Sequence, residues 1–256
     1  MLAKLKYHWR LFWLIFTILI LFWPALLQPD AILFPTFSPF SDVMVIHWPK
    51  AQLLAQSWSA GEGLPLWTPL ILSGMPLAAN QLAMLFYPPA WLFLILPVEP
   101  VFNILFIFHL LLGGVGVYLL LYKAHHSSPQ AALFGGLTFA LNGKWLAHAA
   151  GGHVSMVGAI GWLPWAVLGM MMLLRQPGSG GAGGQRSYLA GFGWGLVAVL
   201  ALAMQIFTHT LLLIYTVYLL AALAVWRTFI NGSGRSTIHV GVHSLIRLFA
   251  ILILAG

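Results

Sequence analysis

Long apolar runs separated by short polar segments dominate this sequence. A helix that crosses a membrane needs about 20 predominantly apolar residues. Runs of roughly this length cover residues 11–28, 101–122, 131–146 and 154–174. The run 188–227 is about twice as long as one span, so it predicts two helices with a turn in the polar stretch 205–210. A further run begins at residue 242, and together these runs predict about seven membrane helices, the last one incomplete.

Two segments interrupt the apolar pattern. Residues 29–100 are polar enough to leave the bilayer, and within them the short apolar stretch 91–96 predicts an interfacial or re-entrant helix. Residues 176–187 contain the run G-S-G-G-A-G-G, which is typical of a flexible linker. The fold predicted for residues 1–256 is therefore a single all-α polytopic module, with a long first extracytoplasmic loop containing short helices and a cytoplasmic linker.

The composition supports a bilayer as the partner of this chain. Hydrophobic residues make up 61% of the sequence and charged residues only 6%, whereas a soluble domain carries about 25% charged residues. The absence of cysteine excludes disulfides and thiolate metal sites. The formal net charge is +7, but the basic residues lie at the ends of apolar runs, which indicates membrane topology and no nucleic-acid partner.

The distribution of basic residues predicts the orientation in the membrane. With a cytoplasmic N-terminus, nine of the Lys and Arg residues fall on the inner side and only Lys50 and Lys144 on the outer side. All four acidic residues then lie in the first outer loop, and they are Asp30, Asp42, Glu62 and Glu99. Polar chemistry is therefore expected in that loop.

Asp42 is the candidate catalytic residue. It lies about a dozen residues beyond the first predicted span, where a carboxylate at the membrane surface can deprotonate a hydroxyl that attacks an activated sugar. The structural alternative is that Asp42 caps the helix that follows it, because an acidic residue is common at that position.

Candidate substrate-binding residues occur in both predicted outer segments. They are His47, Lys50, Glu62, Trp67, Asn80, Gln81, Lys144 and His153. Lys50 can meet a phosphate as a point charge, or it can lie along the bilayer surface. Glu62 stands between two glycines, where simple solvation in a turn also explains it. The histidines of residues 142–153 lack the spacing and third ligand of a zinc site, so no metal or other cofactor is predicted.

The outer-loop motifs resemble those of a known family. Asp42 and Pro49 are followed by G-x-x-x-P-L-W at 61–67, G-x-P at 74–76 and F-Y-P at 86–88. His109, the G-G-V-G-V-Y run at 113–118 and W-L-P-W at 162–165 complete the ordered set, which resembles the bacterial YfhO-like membrane proteins, grouped with the GT-C type glycosyltransferases.

The resemblance implies a function and a location. Such proteins share about seven N-terminal helices, and a long first extracytoplasmic loop carries the catalytic Asp, here Asp42. The implied activity is transfer of a sugar from a polyprenyl-phosphate donor to a cell-envelope acceptor on the outer face of the bacterial inner membrane. Many GT-C enzymes carry a second acidic residue beside the first, but Asp42 has no acidic neighbour. The resemblance therefore does not support a divalent metal. Full-length relatives are longer, so this chain is expected to be the N-terminal part of a larger protein.

A second class of function fits the same sequence. The chain can instead be a non-catalytic transporter or flippase, or an assembly scaffold for envelope glycans. Ion-coupled transporters place polar groups at midplane sites on broken helices, whereas the predicted spans here contain no Asp or Glu. The sequence indicates neither the oligomeric state nor the donor sugar and acceptor.

Overall fold

Eight α-helices make up most of the part of the chain that the computed structural model describes, which is residues 2–28, 32, 40–71, 73–175 and 184–230. They are α1 Leu2–Leu26, α2 Trp48–Ser59, α3 Val98–Leu119, α4 Pro129–Ala140, α5 Gly143–Ala150, α6 Val154–Leu174, α7 Gly184–Ile206 and α8 Thr210–Ile230. Two π-helical turns, Val43–His47 and Leu120–Ala124, lead into α2 and extend α3. A two-stranded antiparallel ribbon pairs β1 Trp67–Thr68 with β2 Met75–Pro76. Three short 3₁₀ helices follow it, at Leu77–Ala79, Gln81–Ala83 and Pro88–Leu94.

Four of the described helical segments have the length and apolar composition to cross a bilayer. They are Trp9–Leu26, Val98–Ala124, Val154–Leu174 and Thr210–Arg227. The shorter apolar segment Gly191–Ile206 lies in α7. These findings confirm an all-α membrane protein, but the prediction of about seven spans is wrong for the described residues. The last predicted run, 242–256, lies outside them, as do residues 176–183 of the predicted linker.

The predicted third span, residues 131–146, is two short helices instead of one long one. Helix α4 ends at Ala140, and α5 begins at Gly143. The Asn142 side chain accepts a hydrogen bond from the Lys144 backbone N–H at 2.9 Å, which starts a new helix at this point. A local polar cap therefore divides an apolar run that hydropathy alone treats as continuous.

Helices α4 and α5 together still run the length of the bundle, and the directions of α3 and α6 explain why. The indole N–H of Trp165 in α6 donates to the Leu112 carbonyl of α3 at 2.9 Å, and further along Arg175 donates to the Lys123 carbonyl at 3.2 Å. Matching contacts in the same order show that α3 and α6 run parallel. The connection between them must return along their length, and α4 and α5 do so.

The described part of residues 29–100 does not form an open loop. Helix α2 and the 3₁₀ helix Pro88–Leu94 pack on the start of α3 around a core that includes Leu54, Phe93 and Val101, all at most 3% exposed. The predicted short helices are present, and the stretch 91–96 largely overlaps one of them. The prediction of a long first extracytoplasmic loop is therefore wrong for the described residues, because burial of apolar side chains folds this segment onto the helices.

Close helix packing occurs at the G-G-V-G run 113–116, as small residues within an apolar run favour. A Cβ atom added at Gly114 would lie 3.2 Å from the Gly136 carbonyl oxygen of α4. One added at Gly161 of α6 would lie 3.0 Å from the His109 carbonyl oxygen of α3. Small residues let the helix backbones approach each other in membrane proteins, and these glycines bring α4 and α6 onto α3.

The two ends of the bundle differ in charge. The Trp48 indole N–H donates to the Glu99 carboxylate at 3.0 Å, which joins the start of α2 to the first turn of α3. Asp42 lies just before α2, so it belongs to the same end of the bundle. Lys123 and Arg175 lie together at the opposite end. No Asp or Glu follows Glu99 in the sequence, so the opposite end has no acidic residue from α4 onward.

Candidate functional site

Asp42 stands at the beginning of the π-helical turn that leads into α2. Its backbone is already helical, with φ −58° and ψ −32°, and its side chain makes no capping hydrogen bond. The Ser41 hydroxyl accepts the bond from the Met44 N–H instead, at 3.4 Å. The capping explanation of Asp42 is therefore wrong, and its carboxylate is available for another contact.

That contact joins the two predicted outer segments. The Asp42 carboxylate lies 3.5 Å from Nε2 of His153, and the two side chains are 43% and 42% exposed. The Asp42 N–H also donates to the Gly151 carbonyl at 3.4 Å. Gly152 has φ +85°, and a Cβ there would lie 2.6 Å from the Val43 nitrogen. Glycine at this position thus permits the α5–α6 turn to approach Asp42.

A second histidine extends this pair. Nδ1 of His148, near the end of α5, lies 2.9 Å from Nδ1 of His153. One ring must donate and the other accept, because each nitrogen carries at most one proton. Partial burial lowers the pKa of His148, and the positive charges of His153 and Lys144 lower it further. A neutral His148 can accept a hydrogen bond from the Nδ1–H of His153. Asp42, His153 and His148 therefore form a continuous polar chain, which we call the Asp42 cluster.

His47 has a structural role beside this cluster. Its ring is 3% exposed, and Nδ1–H donates to the Leu82 carbonyl at 3.1 Å. Burial lowers the pKa of His47 to about 4, and the charge of Lys50 acts in the same direction. His47 is therefore neutral at neutral pH, where it anchors the 3₁₀ helix Gln81–Ala83 to the π-helical turn and supplies no positive charge to a substrate.

Acid should destabilise the protein through His47. Because the pKa of His47 is lower in the folded state, the unfolded chain binds more protons between pH 6.5 and about 4, and stability falls as pH decreases through that window. The full shift corresponds to about 3 kcal/mol. We expect His47→Asn, measured by denaturant unfolding in detergent at pH 4.5 and 7.5, to show a weaker acid loss than wild type. The exposed His125→Asn is the matched control, and an unchanged pH dependence in His47→Asn would contradict the assignment.

Lys50 is buried in the first turn of α2. Its residue is 7% exposed, and burial lowers the pKa of its ammonium group. Within the described part of the chain, no ion pair joins it to a carboxylate. Lys50 and Asp42 both act electrostatically on His47, so the two charges occupy the same region. A buried cation without an acidic partner is suited to an anionic ligand. The alternative that Lys50 lies along the bilayer surface is not observed, because the residue is buried.

Three sequence-predicted residues lie apart from the Asp42 cluster or face solvent. Glu62 is exposed in a turn beyond α2, a helix of 12 residues that spans about 18 Å. Trp67 in β1 is 58% exposed. Lys144 is exposed, with its ammonium 5.6 Å from the ring centre of Trp145. The structure gives none of the three a contact with Asp42.

Asn80 and Gln81 lie in a different but adjoining place. They line a groove of about 750 Å³ between residues 75–86 and the α7–α8 turn. The Gln81 side-chain oxygen accepts from the Thr210 N–H at 2.9 Å and from the Thr210 hydroxyl, so it holds that turn. Leu82 lines the groove, and its carbonyl accepts a hydrogen bond from His47. Because His47 lies beside the Asp42 cluster, this bond joins the groove to the region of the cluster.

The α7–α8 turn also brings His209 toward the cluster. Burial lowers the pKa of His209, and the positive charge of His153 contributes to the shift. His148 and His209 were not among the residues selected from the sequence. His148 reaches His153 through the local turn after α5, whereas only tertiary contacts bring His209 toward it. A histidine near an apolar run is an ambiguous signal in the sequence.

Motif residues from three separate segments form a buried hydrogen-bonded chain. Nδ1–H of His109 donates to the Leu105 carbonyl at 2.5 Å, which leaves Nε2 to accept from the Tyr87 hydroxyl at 2.5 Å. The Trp162 indole N–H donates to the Tyr87 oxygen at 2.8 Å. The F-Y-P and W-L-P-W motifs therefore meet at His109, where they tie the folded segment before α3 to α3 and α6.

No metal centre is evident in the described residues, where no group of three or more His, Asp or Glu side chains is arranged to hold an ion. Comparison of the chain with protein-family models, with curated proteins and with solved structures finds no match. The function is therefore inferred from the geometry of the Asp42 cluster.

Proposed function

We propose that this protein is a membrane glycosyltransferase that moves a sugar from a polyprenyl-phosphate donor to a cell-envelope acceptor. The observation that carries the proposal is the contact between Asp42 and His153 at 3.5 Å, in the same region as the buried cation Lys50. In the orientation favoured by the basic residues, this cluster faces outward from the bacterial inner membrane, and the N-terminus is cytoplasmic.

The cluster and Lys50 supply the two functions that such a transfer requires. Asp42 accepts the proton of the acceptor hydroxyl while the hydroxyl oxygen forms a bond to the anomeric carbon. The bond between that carbon and the phosphate oxygen breaks, and the phosphate leaves with the electron pair. Lys50 stabilises the negative charge that develops on the leaving group, as a fixed cation in a partly dehydrated site.

The two histidines give the proton a route away from Asp42. His153 lies between the carboxylate and His148, and the His153 side chain is 42% exposed and therefore open to water. A proton accepted by Asp42 can pass to His153 and then to His148 or solvent. The carboxylate is restored for the next acceptor without help from a metal-bound group.

A direct assay tests the proposed reaction. The protein is reconstituted in lipid nanodiscs with polyprenyl-phosphate donors that carry different radiolabelled sugars, and with an extract of envelope lipids as acceptor. We expect one donor to lose its label to an acceptor while free polyprenyl phosphate accumulates in equal amount. Absence of donor cleavage with every sugar tested, by protein that remains folded, would contradict the glycosyltransferase.

One observation favours a transporter as the second candidate. The break between α4 and α5 lies beside the interior of the span Val98–Ala124, because a Cβ at Gly114 would touch Ala140 at 3.1 Å. Broken helices form substrate sites in many transporters. In proteoliposomes, a transporter would move the intact lipid-linked sugar across the bilayer without releasing polyprenyl phosphate, so the fate of the donor separates the two candidates.

A further inference from the structure

A second cavity lies at the end of the bundle opposite Asp42. It has a volume of about 460 Å³ and is lined by Tyr122, Lys123, His126, Ser127, Met172 and Trp194. These residues come from the end of α3, the segment after it, the end of α6, and α7. The proposed transfer reaction makes no use of them, so a role for this cavity is independent of the proposed function.

Basic side chains surround this cavity and are held in place. The Lys123 ammonium lies 5.3 Å from the ring centre of Trp194, which fixes it at the cavity wall. Nη1 of Arg175 donates to the Lys123 carbonyl and to Nε2 of His126, each at 3.2 Å. Nη1 accounts for two of the five guanidinium N–H groups, and no bond from Nε or Nη2 to another described residue is found.

No acidic side chain of this part of the chain can neutralise these cations. The last acidic residue in the sequence is Glu99, in the first turn of α3. Lys123 follows it by 24 residues of continuous helix, a distance of roughly 36 Å. Two fixed cations without a carboxylate create a positive potential, and an anion from outside the chain would satisfy it.

The position of the cavity restricts the kind of anion. Lys123 and Met172 are near the ends of the spans Val98–Ala124 and Val154–Leu174, which is where phospholipid headgroups begin. The wall also offers apolar surface from Met172 and Trp194, next to the hydroxyl of Ser127. Basic pockets between membrane helices at this depth suit phosphate-bearing headgroups.

We propose that the Lys123 cavity, with Arg175 at its edge, binds the phosphate group of a phosphate ester of net negative charge at the membrane surface. Lys123 and Arg175 would contact the phosphate oxygens, and Trp194 would pack against the attached glycerol or acyl group. An anionic phospholipid of the adjoining leaflet supplies this chemistry, as does a soluble phosphate.

Native mass spectrometry of the detergent-solubilised protein tests the site. Protein is titrated with dioleoylphosphatidylglycerol or with dioleoylphosphatidylcholine, and bound lipid is counted. We expect preferential retention of phosphatidylglycerol, weakened by about tenfold in the double variant Lys123→Gln, Arg175→Gln, since loss of the charged contacts removes at least about 1.4 kcal/mol of binding. A competition arm with 10 mM inorganic phosphate, about a hundred times a typical lipid concentration in such titrations, separates the sources.

The matched control is Arg227→Gln, which removes a charge from the last turn of α8 and leaves the cavity intact. Retention of phosphatidylglycerol that phosphate does not displace supports a lipid as the ligand. Displacement by phosphate supports a soluble phosphate. Equal retention of the two lipids, or equal losses in the control and the double variant while both remain folded, would overturn the proposal.

Discussion

Replacing Asp42 with asparagine should reduce the rate of sugar transfer by about 10²–10⁴-fold, the contribution typical of a general base. Asparagine keeps the shape of the side chain but cannot accept the proton of the acceptor hydroxyl. The loss should appear in the catalytic rate more than in donor binding, because Lys50 remains in place to contact the donor phosphate. The measurement is single-turnover release of polyprenyl phosphate in nanodiscs.

Two comparisons make this result specific to Asp42. Glu62→Gln changes the same functional group at an exposed turn, about a helix length from Asp42, so it should transfer sugar at nearly the wild-type rate. Thermal unfolding of both variants establishes that the fold is kept. An Asp42→Asn rate within a few-fold of wild type would contradict the catalytic assignment.

Removal of the Tyr87 hydroxyl should destabilise the protein by about 2 kcal/mol or more. The Tyr87 side chain is fully buried, and its hydroxyl is the partner of both His109 Nε2 and the Trp162 indole N–H. Tyr87→Phe leaves these two polar groups unpaired, and each unsatisfied buried group costs about 1–3 kcal/mol. Unfolding in mixed micelles, followed by circular dichroism, measures the change.

A matched substitution distinguishes this effect from a general cost of losing a hydroxyl. Tyr218 in α8 is 69% exposed, so Tyr218→Phe should leave stability unchanged. Equal stabilities of Tyr87→Phe and Tyr218→Phe would show that the buried chain contributes nothing.

The Asp42 cluster and the Tyr87 chain have different tasks in the same end of the molecule. The Tyr87 chain ties the folded segment before α3 to α3 and α6 in the protein interior. The Asp42 cluster lies at the surface, where α2, the α5–α6 turn and the α7–α8 turn approach one another. We therefore expect Tyr87→Phe to lower stability directly. It should lower the rate of transfer only indirectly, through displacement of α2 and the residues before it.

The sequence by itself determined the membrane character of the chain and the positions of several helices. Apolar runs at 11–28, 101–122 and 154–174 each contain most of a described helix of spanning length. Close packing at the glycines 113–116 was also predictable. These properties depend on residues that are near one another in the chain, because hydropathy adds up along a single helix and a missing side chain always permits close approach.

Only the tertiary structure decided how the candidate site is built. Asp42 and His153 are far apart in the sequence, and no local pattern pairs them. Their contact requires α4 and α5 to return along α3, and it requires a glycine turn that lets the α5–α6 connection reach the α2 entrance. The burial of Lys50 likewise follows from packing between segments, which hydropathy does not register. The break at Asn142 is different, because a local cap two residues long produces it.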